Sequence, residues 1–428
     1  MGGTQEEVNY VHFSIPKNLM RWALCALISL PLVYILLYSY SYSISYINLI
    51  STFQARANIH PPLPPPQAWL QCDYSDGKWV WDESVAGRRY DSENCDMRQA
   101  QKCVVNGKPD NGYLRWRWQP AGCNLSALDP AEFLHAVRGK HLAFVGDSIA
   151  RTQAESLVCI LSTFSRPETV HQYEERLGRK FWRWVFPAPH NVNVSTYWSP
   201  FLVRAEGTSA HYAMTQETVI LDALTEPWTA DLDAMDVMVV SVGHWFPRPA
   251  MYYDDGVVSG VVSRPEVNRT DIGGGYLGAH RTAMRRTLDY VNAKSTTDKL
   301  VVVATISPAH FDARYGPNHR DACSRQKPFE EWEAEVSGAE AEMRKAVLDE
   351  AATAVAQRRR SGLRFEVLDV TRLASMRPDG HPGIYIFRNA FAGRQVPETV
   401  ANVDCRHWCA PGPVDTFNDI LMKMVAAA

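Results

Sequence analysis

The sequence predicts an α/β fold, a mostly parallel sheet in three α/β/α layers, with a loop-rich, disulfide-stapled N-terminal subdomain and a transmembrane anchor added to it. Three observations predict this. Short apolar runs alternate with longer helical stretches through the C-terminal two-thirds, the pattern of βαβ units. Eight of the nine cysteines lie beyond residue 71, an even set of the kind that pairs in an oxidising compartment. Residues 22–55 contain no charged side chain, and a helix of about 20 residues spans a bilayer.

Read in chain order, residues 1–21 are a cytoplasmic tail and 22–46 an uncleaved signal anchor. Lys17 and Arg21 precede the apolar run, and positive charge stays cytoplasmic, so the rest of the chain is expected on the lumenal side. Residues 47–70 are a stem whose PPLPPP run at 61–66 favours extended polyproline II. Residues 71–128 are rich in cysteine and tryptophan, without long periodicity, and form the stapled subdomain. Residues 129–428 are the sheet domain, with strands expected at 142–145, 237–242, 300–306 and 365–370, and helices at 277–293 and 329–359.

Composition is ordinary for a globular chain, 46% hydrophobic and 21% charged. A formal net charge of −3 supplies no basic excess, which excludes nucleic-acid binding by phosphate neutralisation as the expected role. Thirteen tryptophans and eighteen tyrosines offer flat apolar faces that can stack on sugar rings.

Two distant segments supply chemistry. FVGDSIARTQ (144–153) places Ser148 after an apolar strand and Gly146, where a tight turn lifts a hydroxyl to the carboxyl end of a parallel sheet. DCRHWCAPGPVD (404–415) supplies Asp404 and His407. A serine needs an imidazole to take its proton and a carboxylate to hold that imidazole, and these three residue types meet the need. The Ser148 amide, at the start of the helix that follows, is the expected first oxyanion donor. Asp147 reads as a turn-former beside the nucleophile, and Arg151, three residues on, shares roughly its helical face. Cys405, His407 and Cys409 could instead ligate zinc, but no second cysteine pair of zinc spacing accompanies them, so no metal is expected. No nucleotide-binding fingerprint is evident, and no bound cofactor is expected. Asn124, Asn193 and Asn268 begin Asn-x-Ser/Thr sequons.

Six ordered motifs point to a family: CDYSDGKWVWD (72–82), YLRWRWQPAGCNL (113–125), FVGDSIARTQ, VGHWF (242–246), ISPAHF (306–311) and DCRHWC (404–409). With them the chain resembles the plant trichome birefringence-like family of Golgi polysaccharide O-acetyltransferases, in the wider SGNH/GDSL esterase-like group. The resemblance covers nearly everything from residue 71 onward. It implies a double-displacement mechanism through an acetyl-serine on Ser148, with His407 as base and Asp404 as its partner. It implies an acetyl donor, either acetyl-CoA or an acetylated intermediate, and membrane proteins that supply it. The acceptor it implies is a cell-wall hemicellulose, xyloglucan on the likeness of NVSTYWSPFLV (193–203), with xylan next. Deacetylation by the same triad and non-catalytic polymer binding are the rival readings. The family pattern keeps Gly146, Asp147 and Ser148 together and makes Gly243 a candidate second oxyanion donor. Trp245 stands where the wider group usually has asparagine, and His244 is either a compensating donor or a structural ring bonded to the backbone. Ala304 stands where relatives often carry arginine. The implied disulfides are Cys72–Cys123, Cys95–Cys159, Cys103–Cys409 and Cys323–Cys405, the last two clamping the loop of Asp404 and His407.

Overall fold

Strand β3 (His141–Gly146) is buried along its whole length because both of its faces are covered. Its side chains alternate between two cores: Leu142 and Phe144 enter one, Ala143 and Val145 the other, as the two-residue period of a strand requires. In the computed structural model, which describes residues 72–427 apart from 84–88, 176–177, 212–213, 263–273 and 390, this alternation organises the molecule. The predicted tail, anchor and stem, and the sequon at Asn268, lie outside the described residues. Among the described residues no helix is long and apolar enough to cross a membrane.

In chain order the strands are β1 (Gly77–Trp81), β2 (Trp116–Pro120), β3, β4 (Glu168–Glu175), β5 (Gly178–Phe186), β6 (Val192–Trp198), β7 (Val203–Gly207), β8 (Glu217–Leu224), β9 (Val237–Ser241), β10 (Ala250–Asp254), β11 (Val257–Val262), β12 (Lys299–Ala304) and β13 (Leu363–Leu368). Seven of them form the central sheet in the order β13-β12-β9-β3-β6-β5-β4. The run from β13 to β6 is parallel, and β5 and β4 join antiparallel at one edge. One face is covered by the helices Ser148–Leu161 and Val414–Ala426, the other by Gly275–Lys294 and Gly338–Ala356. These are the three expected layers of an SGNH-like α/β fold.

Two features depart from expectation. A second, mixed sheet of four strands, β11-β10-β8-β7, and the β4–β5 edge occupy a region read without strands. The helix expected at 329–359 begins only at Gly338, after Ser337 in extended conformation and with Gly338 itself at φ 55°.

Four disulfides join the cysteine pairs 72–123, 95–159, 103–409 and 323–405, the same pairs that the resemblance implies. The cysteine-rich stretch belongs to the unit Cys72–Ala428. Trp79 and Trp118 enter the same core as the Val414–Ala426 helix. The Trp79 indole donates to the Leu373 carbonyl at 2.8 Å, and the Arg377 guanidinium lies 4.3 Å over its ring.

Candidate active site

β3 is the point where strand order reverses: the chain's next sheet neighbours lie towards β6 on one side and β9 on the other, the place where open α/β sheets leave a crevice. Gly146 ends β3 at φ +151°, and a Cβ there would stand 1.9 Å from the Ser241 carbonyl oxygen, so only glycine fits. Asp147 then caps the 14-residue helix, its Oδ1 accepting from the Ile149 amide at 2.9 Å. Ser148 is the first residue of that helix.

The Ser148 hydroxyl lies 2.6 Å from His407 Nε2, and His407 Nδ1 lies 2.8 Å from Asp404 Oδ2. The other carboxylate oxygen, Oδ1, accepts from the backbone amides of His407 at 2.9 Å and Arg406 at 3.1 Å. The short D-x-x-H spacing thus folds into a turn that the aspartate itself closes. Burial works to raise the Asp404 carboxyl, but the His407 ring beside it and these hydrogen bonds overcome that and hold it well below the ordinary carboxylate range. A hydroxyl, an imidazole and a carboxylate in this chain can activate the oxygen as a nucleophile and stabilise the imidazolium that forms.

The loop is fixed from several sides. Asp404 and Gly383 exchange backbone hydrogen bonds at 2.8 and 2.9 Å, Cys405 and Cys409 are both bridged, and the fully buried Trp408 donates from its indole to Ser307 Oγ at 2.9 Å. Since Cys405 and Cys409 are half-cystines, neither offers a thiolate to zinc.

Gly243 is not presented as an oxyanion donor: its amide, and that of His244, donate to Asp147 Oδ2 at 3.0 and 3.2 Å, because the capping carboxylate reaches across to the segment after β9. Asp147 is therefore a cross-link between the serine turn and that segment. Burial lowers the pKa of His244, and its Nε2 is buried without a hydrogen-bond partner among the described residues. Arg151 is buried beside Glu155 at 3.8 Å and lies 5.9 Å from the Trp198 ring, not at the surface. Trp245 packs edge-on against Trp198 at 5.5 Å. Asn124 is exposed, but Asn193 sits within β6, paired to β3 and β5 and half-buried, unlike the surface loop its sequon implies. His310 lies in a motif singled out in the sequence, whereas His381 carries no local signal. Both contact the loop only through folding: the His310 amide donates to the Cys405 carbonyl at 2.9 Å, and His381 Nδ1 to the His407 carbonyl at 2.7 Å.

Residues 125–424 match the GDSL/SGNH-like Acyl-Esterase family found in Pmr5 and Cas1p, and residues 70–124 match the PMR5 N terminal Domain. Xyloglucan O-acetyltransferase 1 of Populus trichocarpa is 40% identical over 96% of this chain and 94% of its own length. Xyloglucan O-acetyltransferase 1 of Arabidopsis thaliana is 43% identical over 83% of this chain and 80% of its own. Protein trichome birefringence-like 25 of the same plant is 37% identical over 83% and 77%.

Proposed function

We propose, from the premise that the chain belongs to the GDSL/SGNH-like acyl-esterase family found in Pmr5 and Cas1p, that it is an O-acetyltransferase which moves an acetyl group onto a hydroxyl of a hemicellulose. The observation that carries this is the hydrogen-bonded chain from Ser148 through His407 to Asp404.

Ser148 Oγ attacks the acetyl carbonyl of the donor while His407 Nε2 takes its proton, and Asp404 stabilises the resulting imidazolium. The oxyanion of the tetrahedral intermediate is met by the Ser148 amide at the positive end of its helix. Collapse breaks the bond to the donor's leaving group, which receives the proton from His407. A sugar hydroxyl then gives its proton to His407 and attacks the acetyl-serine, and Ser148 leaves with that proton restored.

Xyloglucan is the favoured acceptor and xylan the next, because relatives identical at 40% and more are named for the first. An open cavity of about 400 Å³ that includes Tyr197, Trp198, Lys180 and Arg204 fits a carbohydrate chain by ring stacking and hydroxyl bonding. It lies close to the nucleophile, since Trp198 pairs in register with Gly146. The charge-free run at 22–55 and the four disulfides support a Golgi type II placement with residues 72 onward in the lumen, and Asn124 as a glycan acceptor. The donor is acetyl-CoA or an acetylated intermediate delivered by a membrane protein.

The test is intact-mass spectrometry of the purified full-length chain with acetyl donor, followed by a panel of oligosaccharide acceptors. One added acetyl group on Ser148, discharged faster by xyloglucan oligosaccharides than by water, is expected. Discharge to water alone, at a rate no acceptor changes, makes the protein an esterase instead.

A further inference from the structure

His310 and His381 form a hydrogen-bonded relay beneath the candidate catalytic loop. His310 Nε2 lies 2.8 Å from the carbonyl of Ser375, His310 Nδ1 lies 2.7 Å from His381 Nε2, and His381 Nδ1 lies 2.7 Å from the carbonyl of His407. A carbonyl oxygen only accepts, so each ring must spend an N–H outward. Two neutral imidazoles would then face each other through bare lone pairs across 2.7 Å. Reversing one tautomer does not help, because it moves the same repulsion to a carbonyl. One additional proton between the rings satisfies all three contacts at once.

We propose that His310 and His381 hold a single shared proton and act as one bridging cation that positions His407. The effect on catalysis rests on the reading of His407 as the base; the proton count does not. The pair grips both ends of one short segment: the His310 amide holds the carbonyl of Cys405, and the His381 ring holds that of His407. These are positioning residues, since neither touches the reacting atoms.

The surroundings suit one charge and exclude two. Trp408 stacks on His381 with centroids 4.3 Å apart and planes 17° apart, presenting the face that attracts a cation. Asp404 favours charge on His381, and Asp379 favours charge on His310. Against it stand Lys108, whose ammonium donates to the carbonyls of Asp379 and His381 at 2.8 and 2.7 Å, and Arg377, tied to Asp379 at 2.8 and 2.9 Å. Burial pushes both rings down, His310 to about 4 and His381 well below its ordinary value, and so opposes the first proton as well as a second; the 2.7 Å contact between the two ring nitrogens is what retains the first, and the titration belongs to the pair and not to either ring. His381 lines a cavity of about 330 Å³ and His310 one of about 640 Å³, each of which also reaches Cys323. The sign of the pH dependence follows: the shared proton is present at low pH and is lost as pH rises through the pair's first titration, so the tether on His407 weakens on the alkaline side.

Nitrogen-15 NMR of histidine-labelled full-length protein at neutral pH reads the proton count directly. Three protons on the four ring nitrogens of His310 and His381 are expected, one of them in an N–H···N bond; two protons overturn the proposal. In kinetics, His381→Leu removes the donor to the His407 carbonyl and is expected to lower kcat about a hundredfold with KM little changed. His381→Asn keeps a donor there without a titrating ring, and should recover most of kcat while losing the alkaline limb of the pH profile. Equal damage by both substitutions, or an alkaline limb that persists in His381→Asn, also overturns it. Labelling of Ser148 by a fluorophosphonate separates the two readings: an unreactive serine with three ring protons sinks the proposed catalysis and leaves the shared proton standing. A reactive serine with two sinks only the shared proton.

Discussion

Ser148 and the Asp404–His407 pair meet within one hydrogen bond, yet they are held by opposite means. The serine is placed by regular structure: a buried parallel strand, a glycine pressed against the Ser241 carbonyl and a capped helix of 14 residues. The aspartate and histidine sit in a loop with no such support and are held by two disulfides, one backbone exchange with Gly383, the Trp408–Ser307 bond and the His381 ring. Regular structure fixes a residue through many weak local bonds that fail together. A cross-linked loop depends on a few strong attachments that can be removed one at a time. The base side should therefore be tunable under conditions that leave the nucleophile side intact.

The largest effect expected is from Ser148→Ala, which deletes the covalent route and should lower turnover about a million-fold, as losing a triad nucleophile does elsewhere. Circular dichroism should be unchanged, and turnover near the native rate would end the covalent mechanism. Gly146→Ala attacks the same side through the fold. A Cβ 1.9 Å from the Ser241 carbonyl forces β3 and β9 apart and should cost on the order of 4 kcal/mol or more, read as loss of soluble protein or a much lower melting temperature.

On the base side, a reductant titration should abolish activity before it unfolds the sheet. Freeing Cys405 or Cys409 lets the imidazole move, and a shift of about 1 Å can cost roughly a hundredfold in rate. The comparison is activity against far-UV circular dichroism; coincident loss would mean that the disulfides hold the whole domain and not the loop.

The last effect belongs to the Gly275–Lys294 helix that covers the sheet. His280, in the Gly275–Lys294 helix, lies edge-on to Phe246 at 5.0 Å, and burial depresses its pKa to about 4. Between the unfolded value near 6.5 and that depressed value, the unfolded chain binds a proton that the folded chain refuses. Stability is thus full above about pH 6.5 and falls by about 1.4 kcal/mol for each unit of acidification below it. Chemical denaturation of native and His280→Gln protein across this range should show a shallower slope in the variant. Acid should thereby act on the packing of this helix, while reductant and alkali act on the loop.

The same contrast explains what could be read from the sequence. Strands β3, β9 and β12 are buried along their whole length, so their apolar runs stand out, and Ser148 follows from one of them. Other strands do not. β5 reads GRKFWRWVF, a mixture of charged and aromatic side chains, and β8 reads ETVILDAL, its apolar centre interrupted by Asp222; neither leaves a uniform apolar run. Phe329 and Trp332 continue an apolar spacing towards the helix, but turn and extended backbone occupy 331–337 and the helix starts at Gly338. Asp404 and His407 were legible because their bond spans three residues. His381 was not, because its partner His310 is 71 residues away and nothing local marks His381 itself. Gly243 shows the same limit: the acceptor its amide meets is Asp147, 96 residues earlier in the chain.

The bond between Cys103 and Cys409 spans 306 residues, which sets an order of events during synthesis. At about 5–20 residues per second, Cys103 leaves the ribosome roughly 15 to 60 s before its partner exists. Through that interval the early segment carries a reactive thiol among other cysteines that have reached their partners sooner, and it can cross-link wrongly. Asp404 and His407 arrive in the same final stretch as Cys409. The nascent chain therefore holds its serine without a base until the last cross-link can close, and the enzyme becomes competent in a single late step.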